Sequence, residues 1–267
     1  MAPLDPLLLA TAVEGALAAG RIHRRYFRQN PRIQKKGRID LVTAADLEAE
    51  RMFRELIASR FPAHGVIGEE NAAGSPRTEA PYQWIIDPVD GTTNFAHGLA
   101  LFCVSIALEI EGTLAIGVVY DPMGEELFTA ESGQGARLNG TRISVSGCTE
   151  LVDAMLCTGF PYTVRDARHR PVDVFDAFLR EAQAVRRLGS AALDMCYVAA
   201  GRLDGYWEER IQPWDIAAGA VILREAGGHV SGLGGEPLDV FAGHIIASNG
   251  VLHPKMQGLI DQVRGRA

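Results

Sequence analysis

Apolar residues in the first sixty positions recur with helical spacing. Leu8, Leu9, Ala12, Val13, Ala16, Ile22 and Tyr26 fall on one face, Asp5 stands where an N-cap belongs, and Pro6 occupies the first helical position. A second amphipathic stretch runs from Ala44 to Phe61 and is closed by Pro62, and Gly37 to Thr43 before it reads as extended. Val66-Ile67 and Trp84-Ile85-Ile86 are short apolar runs of the kind that form buried strands, separated by a polar loop from Asn71 to Pro81. Leu101 to Ile110, Leu114 to Tyr120 and Glu126 to Ala130, joined by glycine turns, predict an antiparallel meander. Ala136 to Val145 adds two short strands about an Asn139-Gly140 turn.

Beyond Ser146 to Glu150 the pattern changes. A strand at Ala154 to Thr158 is followed by helices at Val172 to Gln183 and Ala191 to Ala200. A strand then comes near Gly205 to Trp207, a helix at Ile216 to Ala226 and a strand at Ile245 to Ala247. This alternation is α/β in character. The expectation is a mixed α/β protein: an α+β portion over residues 1–147 and an α/β portion over 148–267.

Composition narrows the class. The chain has 267 residues, 47% of them hydrophobic and 22% charged, which excludes wholesale disorder. Twenty-six Lys and Arg stand against 33 Asp and Glu, a net charge of −7 that argues against a generic nucleic-acid binder. An anionic substrate would therefore need a positive group between it and the protein. Arg21, Arg24, Arg25 and Arg28 form a basic stripe on the first helix, the usual pattern of a solvated face. Cys103, Cys148, Cys157 and Cys196 show no C-x-x-C spacing and read as reduced thiols. The apolar run Leu7 to Ala19 is preceded by Asp5 and broken by Glu14, unlike a signal peptide. No run reaches the roughly 18 uncharged apolar residues of a membrane span, so the expectation is a cytoplasmic protein without a membrane partner.

Chemistry is concentrated in three places. In Trp84-Ile85-Ile86-Asp87-Pro88-Val89-Asp90-Gly91-Thr92-Thr93-Asn94-Phe95 an apolar strand delivers Asp87 at its end. Pro88 then forces a turn that lets Asp90 face the same space. Gly91 permits close backbone approach, and the amides of Gly91, Thr92 and Thr93 would lie at a helix start suited to phosphate. Asp-Pro and Asp-Gly are also ordinary turn dipeptides. Glu69 and Glu70 follow the Val66-Ile67 strand, where a carboxylate pair can simply solvate a loop. Asp215, in Pro213-Trp214-Asp215-Ile216, stands where an N-cap is expected. Glu69, Asp87, Asp90 and Asp215 gathered in one cleft would repel one another unless cations intervened. All-oxygen donors select a hard ion such as Mg²⁺. Two ions about 3.5–4 Å apart stabilise both the attacking and the leaving oxygen of an in-line displacement.

These strings, with Pro213 to Gly228 and Leu188 to Asp194, resemble the inositol monophosphatase family of Mg²⁺-dependent phosphatases in order and spacing. The resemblance spans nearly the whole chain and is nearest the bacterial inositol-1-monophosphatases. It implies a layered αβαβα sandwich and two or three Mg²⁺ ions per site. Glu69, Asp87 and the Val89 carbonyl would hold the first ion, and Asp87, Asp90 and Asp215 the second. A third, weaker ion would rest near Glu69 through water.

The nucleophile implied is a metal-bound water, oriented and deprotonated by Glu69 and by Thr92 paired with Asp46. Asp46 is also a plausible first-turn helix acid. Gly91 and Thr92 would bind phosphate. Glu208, Gly189, Ser190, Ala191 and Asp90 would line the side of the substrate alcohol, and the leaving oxygen would be protonated near Asp90 and Asp215. Lys35 or Lys36 matches a family lysine near the metal loop, and Arg186 would meet substrate, a partner subunit or a surface acid. The resemblance further implies a phosphorylated polyol substrate, a homodimer and inhibition by Li⁺.

Rival chemistries fit poorly. Cys196 and Arg202 make C-x5-R, yet they fall in an apolar helix. The D-x-x-D spacing is not the D-x-D of aspartyl-phosphate enzymes, and neither a P-loop nor a zinc-type histidine pair is present. Three functions remain open: hydrolysis of inositol monophosphate; the same reaction on fructose bisphosphate, histidinol phosphate or a 3′-phosphonucleotide; or a non-catalytic binding role.

Overall fold

The computed structural model describes residues 4–29, 33–35, 41–70, 80–161, 164 and 171–265, with the side chains of 33–35, 41 and 42 outside the description. Helix α1 (Pro6–Tyr26) starts as its sequence dictates: the Leu7 amide donates to Asp5 Oδ1 at 2.9 Å and Pro6 follows the cap. Strands β1 (Ile33–Lys35) and β2 (Leu41–Thr43) pair antiparallel. Thr43 then caps α2 (Ala44–Arg60), forming a capping box with Asp46. Of the extended stretch expected from Gly37 to Thr43, 37–40 lie outside the described residues. So does 71–79 of the expected polar loop.

The larger sheet comprises β3 (Gly65–Gly68), β4 (Tyr82–Asp90), β5 (Cys103–Ile110), β6 (Thr113–Asp121), β7 (Glu126–Glu131), β8 (Gly135–Leu138) and β9 (Thr141–Arg142), in that spatial order. Only the β3–β4 pair is parallel, and the rest is the expected meander. The smaller sheet has the order β11-β10-β12-β14-β13: β10 (Met155–Thr158), β11 (Ala184–Arg186), β12 (Gly205–Glu209), β13 (His229–Ser231) and β14 (His244–Ser248). Here β10 runs parallel to β11 and β12, and β14 runs antiparallel to both of its neighbours. The fold is mixed α/β.

Five layers result. Helices α1 and α2 cover one face of the larger sheet, burying Ala16, Phe53 and Ile57 against Trp84, Ile86, Ile106 and Leu108. Helices α5 (Ala191–Ala199) and α6 (Pro213–Glu225) fill the space between the sheets. Helices α4 (Pro171–Glu181) and α7 (His253–Gly265) cover the far face of the smaller sheet around Phe178, Trp207 and Ile246. Strand alternation sorts the layers. In β5, Val104, Ile106 and Leu108 face the outer helices while Cys103 and Ala107 face the central ones. Gly117 of β6 lets α6 lie close, because a Cβ there would stand 2.4 Å from the Ala218 carbonyl oxygen.

Three differences from the sequence reading bear on the site. Strand β4 continues through Asp87 to Asp90 instead of ending at Asp87, and its register against β5 shifts between those two residues. Proline has no N–H for the ladder, so Pro88-Val89 are displaced as a bulge and pairing resumes at Asp90 opposite Cys103. Asp215 is the third residue of α6 and not its N-cap: the helix begins at Pro213 after Gln212, whose amide donates to Asp215 Oδ2 at 2.9 Å. Finally, β11, β13 and α7 lie outside the expected elements.

Candidate active site

A pocket of about 420 Å³ opens where β3 and β4 of the larger sheet meet the N-termini of α5 and α6 and the end of β12. Its volume lies in the range of small-molecule sites. Glu69, Asp87, Val89, Asp90, Gly91, Thr92, Gly189, Ser190, Ala191, Glu208 and Asp215 all line it, so residues far apart in sequence meet on one surface. Asp46 lies behind that wall. Lys36 falls outside the described residues and Lys35 is described only in its backbone.

The acids are crowded. Asp87, Asp90 and Asp215 each place a carboxylate oxygen within 4.8 Å of the others. Asp87 and Asp90 are buried and Asp215 half-buried. Burial, then the charges of Glu69, Asp90 and Asp215, hold the Asp87 carboxyl well above the usual carboxylate range. Enclosure, then Asp90 and Glu69, do the same to Asp215. Asp90 is pushed up to about 6 by burial, opposed by its own hydrogen bonds. It accepts from the Ser190 hydroxyl at 2.7 Å, the Ala191 amide at 3.2 Å and the Ala192 amide at 2.7 Å. Asp90 thus serves the first turn of α5, and Ser190 and Ala191 direct these donors at it.

The bulge makes Asp87 a local acceptor as well: the Val89 amide donates to Asp87 Oδ1 at 2.9 Å. Such a set of hard oxygen donors, repelling one another, suits a hard divalent cation, which would relieve the repulsion.

Thr92 opens the short helix α3 (Thr92–Ala96), and Gly91 before it has φ +96°. A Cβ at Gly91 would meet the Leu101 carbonyl oxygen at 3.0 Å, so glycine suits both the backbone and the space. The Thr92 hydroxyl lies 2.8 Å from the Val89 carbonyl oxygen and 3.3 Å from Asp46 Oδ1. Its one proton serves either acceptor. Asp46 is fully buried, accepts from the Thr43 amide at 2.9 Å and from the Thr43 hydroxyl, and is pushed to about 6 by burial.

The opposite wall differs. Glu208 is half-buried, accepts from the Tyr206 hydroxyl at 2.5 Å and is pushed to about 7, chiefly by enclosure. It lies against Gly159, where a Cβ would fall 2.0 Å from Glu208 Oε2. Asn94 ties the segment before α5 to the segment before β5, donating to the Leu188 carbonyl at 2.8 Å and the Leu101 carbonyl at 2.7 Å.

Sequence reasoning missed several neighbours. Arg187, not Arg186, lines the pocket, and Arg186 is exposed at the end of β11. Asp194 lies in the pocket wall, buried, with its carboxyl held well above the usual range by burial. The one signal for it was an acid inside the apolar run of α5. His23, buried on α1, hydrogen-bonds the Pro88 carbonyl through Nε2 at 2.7 Å, and no local motif points to it.

Known proteins resemble this chain over nearly its whole length. The model of the inositol monophosphatase family matches residues 6–265. An inositol-1-monophosphatase of Synechocystis is 45% identical over 93% of this chain and 86% of its own. The Nus factor SuhB of Escherichia coli K12 is 42% identical over 91% of each chain. The solved inositol monophosphatase of Anabaena superposes with a TM-score of 0.87 at 42% identity, covering 96% of both chains.

Proposed function

The chain belongs to the inositol monophosphatase family and is a phosphoric monoester hydrolase, and on that premise we propose that it hydrolyses myo-inositol monophosphate to inositol and phosphate with Mg²⁺. The observation that carries the metal half of this reading is the cluster of Asp87, Asp90 and Asp215 within 4.8 Å. Glu69, Asp87 and the Val89 carbonyl would hold one ion, and Asp87, Asp90 and Asp215 a second. A third would rest more loosely near Glu69. Bound there, divalent cations supply Lewis-acid polarisation of the phosphate and a lowered pKa for water.

The chain's own groups do the rest. Gly91 and Thr92 present backbone N–H groups to the phosphate at a helix start, where such groups have no partner within the helix. Glu69 and the Thr92 hydroxyl, steadied by Asp46, orient the attacking water and take its proton. The new P–O bond forms as the ester P–O bond opposite it breaks. The leaving oxygen takes its proton from a water on the side of Asp90 and Asp215, and that water is left as hydroxide until it regains a proton from solvent. Glu208 accepts a hydroxyl of the departing alcohol, and the backbone of Gly189 to Ala191 shapes that end. The identity of the ester rests on Glu208 and on the relatives named inositol-1-monophosphatase. We further expect a homodimer, inhibition by Li⁺ and a cytoplasmic location, as the resemblance implies. No helix among the described residues is long and apolar enough to cross a membrane.

Phosphate release from inositol 1-phosphate, fructose 1,6-bisphosphate, histidinol phosphate and a 3′-phosphonucleotide, each with Mg²⁺ and with chelator, tests the reading. The expected result is Mg²⁺-dependent turnover with the highest kcat/KM for inositol 1-phosphate. A higher kcat/KM for another ester would overturn the substrate, and undiminished turnover in chelator would overturn the metal.

A further inference from the structure

Asp46, Glu50 and Arg54 recur every four residues on α2, so they share one face of that helix. Asp46 meets Thr92. Glu50 is a carboxylate with no exposed surface, outside the pocket and outside every role assigned above. A buried carboxylate is costly unless paired and hydrogen-bonded. Its oxygens point at the strand that delivers Glu69. Oε2 accepts from the Glu70 amide at 2.7 Å, and Oε1 accepts from Arg54 Nε at 2.7 Å. Arg54 in turn donates through Nη1 to the Val66 carbonyl at 3.1 Å. One ion pair on α2 therefore grips the backbone on both sides of Glu69: three residues before it and one after it.

Gly68 completes the fit. A Cβ at that position would lie 2.7 Å from both carboxylate oxygens of Glu50, so the absence of a side chain lets the carboxylate lie against the chain beside Glu69. The arrangement also suits the local charge. A clamp made of a carboxylate alone would add a further negative charge near Glu69, Asp87, Asp90 and Asp215. Arg54 offsets it.

We propose that Glu50, with Arg54, is a positioning residue for the metal-ligating segment: it fixes Glu69 through the flanking backbone and thereby sets the affinity of the site for divalent cations. The inference rests on Glu69 being a ligand, as proposed above. Partners that orient ligands in this way are worth about 10–100-fold in metal affinity.

The test is Mn²⁺ binding without substrate, read from the free-ion spin-resonance signal, on the full chain. Two variants attack the clamp from opposite sides. Glu50→Gln keeps the volume but places an amide NH₂ against either the Glu70 N–H or Arg54. Gly68→Ala pushes the carboxylate away from the strand. Glu225→Gln is the control. Glu225 clamps the β7–β8 hairpin, accepting from the Gly133 and Gly135 amides at 2.7 Å each, away from the pocket.

Glu50→Gln and Gly68→Ala are each expected to weaken Mn²⁺ binding by about 10–100-fold. The Mg²⁺ concentration for half-maximal activity should rise in step, while KM for the ester at saturating Mg²⁺ stays near that of the wild type. Glu225→Gln is expected to lower Tm and leave Mn²⁺ affinity unchanged. Wild-type affinity in whichever clamp variants fold, or an equal loss in the control, would overturn the positioning role. Failure of the wild-type protein itself to bind Mn²⁺ would instead overturn the metal reading on which the role rests.

Discussion

The two ends of the pocket set the same functional group among different neighbours. At the end built from β3, β4 and α6, Glu69, Asp87, Asp90 and Asp215 stand together, and their mutual repulsion adds to burial in raising Asp87 and Asp215. At the end built from β12 and α5, Glu208 is raised mainly by enclosure, to about 7, and it has a tyrosine hydroxyl as donor. Burial is the largest cause of the shift at both ends; what differs is the company each acid keeps. On the proposed reading, the crowded carboxylates suit cations, and Glu208 with its nearby donor suits a neutral partner that brings hydroxyls.

The sharpest way to break this contrast is to neutralise one acid at each end. Asp87→Asn removes a donor shared by both proposed ions and is expected to lower kcat on the order of 10³-fold for every phosphate ester tested. Glu208→Gln alters the acid proposed to accept a substrate hydroxyl. It is expected to cost about 10–100-fold in kcat/KM, the equivalent of leaving one buried polar group without its hydrogen bond. That loss should fall on inositol 1-phosphate and spare an ester whose alcohol has no further hydroxyl. Steady-state kinetics on the two esters separate the cases. Equal losses for Glu208→Gln on both would remove the distinction between the ends.

A smaller effect follows from protonation. In the metal-free protein Asp46 and Asp90 lie near 6, above the ordinary value of 3.8. The folded chain therefore holds protons that the unfolded chain releases, and these groups lower stability as pH rises from about 4 to about 6. Buried His23 and His253, both pulled down to about 4, work in the opposite direction over the same range. The difference in Tm with and without Mg²⁺ largely cancels the histidines. Cations bind the deprotonated carboxylates, so the gain in Tm from saturating Mg²⁺ is expected to be several degrees larger at pH 7.5 than at pH 5.5. Thermal scans at both pH values check this, and a gain independent of pH would contradict it.

Much of this was legible in the chain because the chemistry is written locally. The string from Trp84 to Phe95 carries the strand, both acids and the glycine in one window, and the mostly apolar run from Leu101 to Ile110 holds β5 of the expected meander. What stayed hidden was of two kinds. The bulge at Pro88 and the capping-box place of Asp215 depend on pairing partners and on where a helix starts, which spacing fixes only within a residue or two. Glu50, Asp194, Arg187 and His23 act across the fold, and their significance appears only once α1, α2 and α5 are set against the bulge and the pocket. Helix α7 was missed for a related reason: only Met256, Ile260 and Val263, with His253 at its start, are buried on it, a sparse stripe that gains meaning from the smaller sheet beneath.

The most direct test of the account is a crystal soaked in Mn²⁺ and measured at the manganese absorption edge. One anomalous peak is expected among the carboxylates of Asp87, Asp90 and Asp215 and a second beside Glu69, Asp87 and the Val89 carbonyl. A fully soaked crystal with no peak within coordination distance of Asp87 would contradict it.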